Sequence, residues 1–165
     1  MLSLSSISKF YRRQEIFILY FFTPGHEAEN FKEEYKALAD KLYGIIKVAA
    51  IDCKHEEELC NEEFGVYDFP SIMIYNENYG SDGERYRGRM EQGAIANSAS
   101  RKMQSFVSSV NSDNYGSFVE RDMEKNKVLL FTDKKSTPAI YKALSKKYLG
   151  KAVFGEVRKS ETELI

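Results

Sequence analysis

The chain has 165 residues, 42% of them hydrophobic and 30% charged, which is enough for one domain and part of another. Its 24 Lys and Arg balance 25 Asp and Glu, and this net charge of −1 excludes the basic footprint of a nucleic-acid-binding protein. No apolar run approaches the roughly 20 residues of a membrane-spanning helix, so we expect no membrane insertion and neither a signal peptide nor a retention motif.

Hydrophobic patterning predicts alternating strands and helices over residues 1–111. Residues 16–22 are apolar on both faces, as in a central strand covered on each side, and residues 27–42 follow helical spacing. The other expected elements are a short helix at 6–13, a strand at 45–51, an acidic helix at 56–64 stopped by Gly65, a strand at 71–75, a turn at 76–83, a strand at 84–87 and a long helix at 91–110. Two strands joined by a helix predict a right-handed βαβ unit with a parallel pair.

Residues 112–165 repeat part of this pattern. The expected elements are a helix at 114–122, a strand at 127–132, a helix at 138–148 and a strand at 152–157. The segment YKALADKLYGIIKVAAI at 35–51 aligns without a gap with YKALSKKYLGKAVFGEV at 141–157. Phe22-Thr23 also matches Phe131-Thr132 if three residues are dropped from the intervening loop. The shared order of elements predicts an internal duplication.

The second copy stops after its third strand, so it is only half a unit. We expect KVLLFT at 127–132 to be the central strand of this half unit and to be left as an open apolar sheet edge, which is a liability for aggregation or swapping. We expect this edge to be covered by the first domain, by further sequence or by a second copy in a homodimer.

These motifs resemble the thioredoxin-like domains of the protein disulfide isomerase family, and in particular those of endoplasmic-reticulum J-domain chaperones. The resemblance is carried by FFTPGHEAENFKEEYKALADKLYGIIKVAAIDC and LCNEEFGVYDFPSIMIY in the first part, and by KVLLFTDKKSTPAIYKALS in the second. It implies an α/β fold with a central mixed sheet flanked by helices over 1–111. A partial second thioredoxin-like unit of the form β-α-β-α-β would follow over 112–165.

The chain departs from this family at the active loop. The family has A-P-W-C-G-H-C there, whereas residues 25–28 of this chain align with C-G-H-C and carry no thiol. Tyr20 and Ala50 stand where the family keeps a buried acid and a lysine, and Met90 takes the place of an arginine, with Arg89 beside it. The resemblance therefore implies a domain that has lost its C-x-x-C, is redox-inactive at this site and is not an enzyme.

Phe69-Pro70-Ser71 matches the cis-proline motif of the family. In the family this loop faces the active loop and pairs its backbone with an extended peptide. The resemblance thus implies a peptide-binding surface, for which we expect six residues: Thr23, Pro24, Gly25, His26, Phe69 and Pro70.

Cys53 and Cys60 are the only cysteines. Cys53 ends a predicted strand and Cys60 lies on the next helix, so a short loop between them is able to close into a disulfide. Some endoplasmic-reticulum members of the family have such a structural bridge, and we expect one here. The other interpretations are two buried free thiols, a redox-active pair, or a zinc site that adds His55 and His26. We expect no metal and no cofactor.

The leading functional hypothesis is a non-catalytic module of a protein-folding factor in the endoplasmic-reticulum lumen, which binds unfolded or extended polypeptide or neighbouring domains of a longer protein. The alternative of another class is a thiol-disulfide oxidoreductase acting through Cys53 and Cys60. A third hypothesis is an architectural spacer without a ligand.

Overall fold

The computed structural model describes Phe10 and residues 15–77 and 83–159, and the chain forms two compact units, Met1–Lys102 and Met103–Ile165. The helix predicted at 6–13, apart from Phe10, and most of the turn predicted at 76–83 lie outside the described residues. In the part of the chain that the structure describes, no helix is both long and apolar enough to cross a bilayer.

The first unit is built on a four-stranded mixed sheet. Its elements are β1 (Phe17–Phe22), α1 (His26–Leu42), β2 (Lys47–Asp52), a π-helical turn (Leu59–Glu63), β3 (Ser71–Tyr75), β4 (Glu84–Arg85) and α2 (Gln92–Lys102). The strand order is β2-β1-β3-β4, with β2 parallel and β3 antiparallel to β1. This is the α/β arrangement that the patterning predicts, with β1 in the centre.

Both faces of β1 are covered, which explains its continuous apolar sequence. One face packs against the buried stripe of α1, which includes Phe31, Tyr35 and Leu38. The other face contributes Leu19 and Phe21 to a core cluster beneath the π-helical turn. That turn occupies the place of the acidic helix predicted at 56–64, and a glycine in the left-handed region follows it, with a φ of 62° at residue 65.

The long helix predicted at 91–110 is wrong beyond Lys102. Residues Val107–Ser109 form a strand, β5, and Val110 is fully buried in the second unit. β-branched valines and serines are poor residues for extending a helix, and pairing with a sheet satisfies their backbone instead. The structural division therefore falls at Lys102/Met103.

The second unit contains a three-stranded parallel sheet. Its elements are β5 (Val107–Ser109), α3 (Tyr115–Glu120), β6 (Asn126–Thr132), α4 (Ala139–Lys147) and β7 (Ala152–Arg158). The strand order is β5-β7-β6, so β7 is central. The expectation that KVLLFT is the central strand of this unit is wrong, because β7 pairs with both other strands. Among the described residues β6 pairs only with β7 and lies at the edge of the sheet.

Each unit contains an equivalent tyrosine contact of its own, which supports the internal repeat. In each unit a buried tyrosine hydroxyl lies between carbonyl oxygens of two neighbouring parallel strands. The distances are 2.7 Å from Tyr35 Oη to Ala49 O and 3.2 Å to Ile18 O, and 2.8 Å from Tyr141 Oη to Gly155 O and 2.9 Å to Val128 O. The glycines after the two helices also correspond, with φ of 73° at Gly44 and 81° at Gly150.

This equivalence corrects one detail of the sequence alignment. Because Ile18 corresponds to Val128, Phe131 corresponds to Phe21 and not to Phe22. The match of Phe22 with Phe131 is wrong by one residue. The loop before α4 is therefore about four residues shorter than the loop before α1, instead of the predicted three.

Candidate functional site

A cleft of about 180 Å³ lies where β1 ends and α1 begins. The structure brings all six predicted surface residues to its wall and adds two that sequence reasoning missed, Glu27 and Ala28. The lining residues are Thr23, Pro24, Gly25, His26, Glu27, Ala28, Phe69 and Pro70.

The loop side of the cleft is an exposed helix start. Gly25 has extended backbone and its carbonyl accepts a hydrogen bond from the Glu29 amide at 3.1 Å. Glu27 and Glu29 lie in the first turn of α1, where negative charge interacts favourably with the helix dipole. Asn30 Nδ2 lies 2.9 Å from His26 Nδ1 and thereby orients the exposed imidazole.

The opposite wall is the loop before β3. The Phe69–Pro70 peptide bond is cis, as the resemblance implies, and both residues are half-buried. Arg85 of β4 holds this loop from outside the cleft. Its Nη1 donates to Asp68 Oδ1 at 2.6 Å, and its Nη2 contacts the other carboxylate oxygen and donates to Ser71 Oγ at 2.9 Å.

The Arg85 contact also sets the charge of the loop. The hydrogen bond from the guanidinium holds the pKa of Asp68 below its usual value, so the carboxylate is charged at neutral pH. Ser71 Oγ donates to the Asp68 carbonyl at 2.6 Å and closes the turn. Nothing in the sequence indicates this contact, because Asp68 and Arg85 come from segments separated by the turn before β4.

The residues that replace the family's acid, lysine and arginine provide no proton-transfer pair. Tyr20 is 3% exposed, and its hydroxyl has no hydrogen-bond partner among the described residues. Burial, and secondarily the charge of Glu27, raises the pKa of Tyr20. Ala50 is half-buried, and Arg89 is exposed and lies 3.5 Å from Glu91 instead of lining the cleft.

Cys53 and Cys60 are joined by a disulfide with a Cα–Cα distance of 5.8 Å. Cys53 is 5% exposed and Cys60 is fully buried, and both belong to the core cluster of the first unit. The inference that the chain has lost its redox pair therefore holds only for the loop at residues 25–28. It is wrong for the domain as a whole, which contains a bonded cysteine pair.

The oxidised pair leaves no free thiol among the described residues and no thiolate ligand for zinc. Nor do three or more His, Cys, Asp or Glu side chains in the described segments come together as a metal-binding group. His55 instead lies with its Nδ1 2.8 Å from Asp52 Oδ2.

Residues 8–101 match the thioredoxin family, and with the fold described above the chain belongs to that family. A Dictyostelium discoideum protein that carries a provisional protein disulfide-isomerase name is 32% identical over 159 residues. That match covers 92% of this chain but 38% of the relative. The protein disulfide-isomerase A6 homolog of Drosophila melanogaster is 33% identical over 97 residues. That match covers 58% of this chain and 22% of the length of the relative.

Among solved structures, full-length ERdj5 superposes with a TM-score of 0.72 at 19% identity, covering 98% of this chain and 25% of that chain. At this identity the likeness concerns the fold alone. This chain thus spans well under half the length of these relatives. We expected from the sequence that the chain is not an enzyme. The names of these relatives and the bonded cysteine pair do not support that expectation.

Proposed function

We propose that this chain is a non-catalytic module of a protein disulfide isomerase-type folding factor, which holds extended polypeptide in the cleft beside Phe69 and Pro70. One observation carries the proposal: loop residues 23–26 and the Phe69–Pro70 loop line one cleft, and none of its lining residues carries a thiol. Such a cleft is able to bind a chain but has no nucleophile for disulfide exchange.

The two walls of the cleft suit an extended peptide. Half-buried Phe69 and Pro70 offer apolar surface to a client side chain, whereas residues 23–26 offer exposed backbone and polar groups. Backbone pairing supplies affinity that is independent of sequence, and the apolar wall selects hydrophobic segments. This combination fits unfolded polypeptide as the ligand class.

In this proposal the disulfide has a structural role. Disulfide exchange requires a thiolate to approach one sulfur directly, and both Cys53 and Cys60 are buried in the core. The residues between them include Glu56, Glu57 and Glu58, whose negative charge disfavours a neighbouring thiolate. A persistent disulfide supports an oxidising compartment, and with the resemblance we propose the endoplasmic-reticulum lumen.

The alternative function is thiol-disulfide exchange through Cys53 and Cys60. It is favoured by the bonded pair itself and by relatives named as protein disulfide-isomerases. An insulin-reduction assay of the intact chain with dithiothreitol separates the two functions. The proposed function predicts a rate equal to dithiothreitol alone, and acceleration that disappears in Cys53→Ala would establish the oxidoreductase instead.

The binding proposal is tested by titrating a fluorescently labelled, extended hydrophobic peptide and following anisotropy. Phe69→Ala removes the apolar wall, and we expect at least about a tenfold loss of affinity, in line with removal of a central aromatic contact. Tyr67→Ala is the matched control, because Tyr67 is 72% exposed in the same loop and does not line the cleft. Absence of binding by the unmodified chain would favour a spacer, and equal losses in both variants would place the peptide elsewhere.

A further inference from the structure

Another cavity of the first unit is lined by β4, the loop after it and the last turns of α2. Its volume is about 550 Å³, so it is larger than the cleft at Phe69, with which it shares no lining residue. Four cations and one acid are among the residues that line it. We call this cavity the arginine groove and define it by these charged residues: Arg85, Arg87, Arg101, Lys102 and Glu84.

Two of the four cations already have an acidic partner within the chain. Arg85 is bound to Asp68, and Lys102 Nζ contacts Glu84 Oε2. The hydrogen bond from Lys102 lowers the pKa of Glu84, so this carboxylate is charged at neutral pH and balances the lysine. The positive charges of the other two arginines are therefore the net charge of the groove.

Arg87 and Arg101 differ in this respect from the other arginines of the described segments. The others contact an acid, a hydroxyl group or an aromatic ring of the chain: Arg85, Arg89, Arg121 and Arg158. Within the described part of the chain, the exposed side chains of Arg87 and Arg101 make no hydrogen bond, ion pair or ring contact. A guanidinium presents paired donors that match a carboxylate, so two such groups in one groove are free to bind acids from outside the chain.

The backbone that carries these two arginines is held in place. Arg101 lies in the last turn of α2. The loop that carries Arg87 is closed by Tyr86, whose hydroxyl donates to the Arg89 carbonyl at 2.8 Å. Gly88 permits this closure, because a Cβ there would lie 2.6 Å from Tyr86 Cζ. The groove is thus largely formed before a ligand arrives, which reduces the ordering cost of binding.

We propose that the arginine groove binds an acidic segment of a polypeptide, whose carboxylates pair with Arg87 and Arg101. Clusters of arginine recognise acidic motifs in this way. Buried Ile74 and half-buried Tyr86 also line the groove and add apolar surface to it. A segment in which acidic residues flank an apolar residue matches both features.

The charge of the surroundings favours carboxylates over stronger anions. The helix α2 ends at the groove, and the negative end of its dipole opposes a doubly charged phosphate more than a single carboxylate. The net charge of the chain is −1, so no extended positive field surrounds the groove to attract a long polyanion such as nucleic acid. The excess charge is local, and it suits a short acidic stretch.

Fluorescence anisotropy of the full chain with a labelled peptide tests this inference, which is independent of the function proposed for the cleft at Phe69. The probe contains Glu-Leu-Glu-Glu between Gly-Ser segments, and the control probe has glutamine in place of each glutamate. Arg87→Gln and Arg101→Gln should each weaken binding of the acidic probe about threefold, and about tenfold together, because each removes one exposed ion pair. Arg89→Gln is the matched control, since Arg89 belongs to the same loop but pairs with Glu91 and does not line the groove.

The control probe should bind about tenfold more weakly than the acidic probe, and added salt should weaken the acidic probe by screening both ion pairs. Phe69→Ala should leave the affinity for the acidic probe unchanged, which separates the arginine groove from the cleft. Circular dichroism verifies that the variants, whose substitutions are all at exposed arginines or in the other site, remain folded.

Four results would overturn the proposal. The first is absence of binding by the acidic probe, and the second is equal affinity for the glutamine probe. The third is a loss in Arg89→Gln as large as that in Arg101→Gln. The fourth is displacement of the probe by inorganic phosphate or by single-stranded DNA at the concentration of the probe itself, which would identify a phosphate site or a nucleic-acid site instead.

Discussion

Arg85 holds Asp68 through both terminal nitrogens of its guanidinium, and so connects strand β4 to the residue immediately before Phe69. The same guanidinium donates to Ser71 Oγ at 2.9 Å, on the other side of Pro70. Both residues that flank the Phe69–Pro70 pair are thus tied to one side chain. The position of the candidate peptide-binding wall therefore depends on an arginine that does not contact the cleft itself.

Arg85→Lys is expected to weaken peptide binding more than it weakens the fold. A lysine keeps the charge but cannot donate two parallel hydrogen bonds, so the loop loses its fixed orientation. The side chains are 40% and 66% exposed, and exposed ion pairs contribute little to stability. We expect a several-fold loss of affinity for the hydrophobic peptide and an almost unchanged urea midpoint. Arg89→Lys is the control, and equal loss there would remove Arg85 from the mechanism.

The Asp68 contact predicts a loss of peptide binding in acid. Hydrogen bonding to Arg85 lowers the pKa of Asp68 below the value of about 3.9 for an unfolded aspartate. The contribution of the Asp68–Arg85 contact to the orientation of the loop is therefore complete above about pH 4 and is lost as the pH falls through the lower folded-state pKa. The peptide affinity of the unmodified chain should decline as the pH is lowered below about 4. Asp68→Asn should be weaker at neutral pH and lack this decline, and an identical acid limb in both proteins would contradict the assignment.

Reduction of Cys53–Cys60 is expected to destabilise the first unit selectively. A loop of this length contributes about 2.5 kcal/mol on the chain-entropy model, because the bridge restricts the unfolded chain. Chemical denaturation with and without reductant, read by hydrogen exchange in β1 and in β7, resolves the two units. The Cys53→Ala/Cys60→Ala variant serves as control, since it should not respond to reductant. Equal destabilisation of β7 would contradict a role confined to the first unit.

The two equivalent tyrosines predict matched effects in the two units. Tyr35→Phe and Tyr141→Phe each remove a hydroxyl that bridges two strands, and each should lower the free energy of unfolding by about 0.5–1.5 kcal/mol.

Burial raises the pKa of Tyr141 to about 12, so its neutral form stabilises the fold fully below about pH 10. That contribution is lost as the pH rises through 12. Burial also raises the pKa of Tyr35, so ultraviolet titration of Tyr141→Phe should show one late-ionising tyrosine fewer than the unmodified chain, and a titration identical to that of the unmodified chain would refute the assignment.

Periodicity and the repeat predicted most elements of both units, because α1 and β1 bury continuous apolar surface that is visible in the sequence. The prediction failed at 103–110. Met103, Phe106 and Val110 follow helical spacing there, but Val107–Ser109 between them form a strand. The apolar spacing of this segment is compatible with a helix or with a strand. Pairing with β7, which the sequence does not reveal, decides in favour of the strand. The six cleft residues could be inferred from the family motif, whereas Arg85 could not, since its role depends on a turn that brings β4 beside Asp68.

Gly155 on β7 provides a last test of the packing in the second unit. A Cβ at this position would lie 2.7 Å from Val110 Cγ2 and 2.8 Å from the Phe118 ring, too close for either to accommodate without movement. Gly155→Ala should therefore destabilise the second unit by about 1–3 kcal/mol, as overpacked cores do. The equivalent residue of the first unit is Ala49, so the strand geometry itself accepts alanine. Gly116→Ala in α3 is the control, since no atom lies within 4 Å of the added carbon and the change should be neutral or stabilising by up to about 1 kcal/mol. Thermal unfolding monitored at β7 distinguishes the two variants, and equal stability of both would mean that α3 and β5 do not pack on β7 as closely as described.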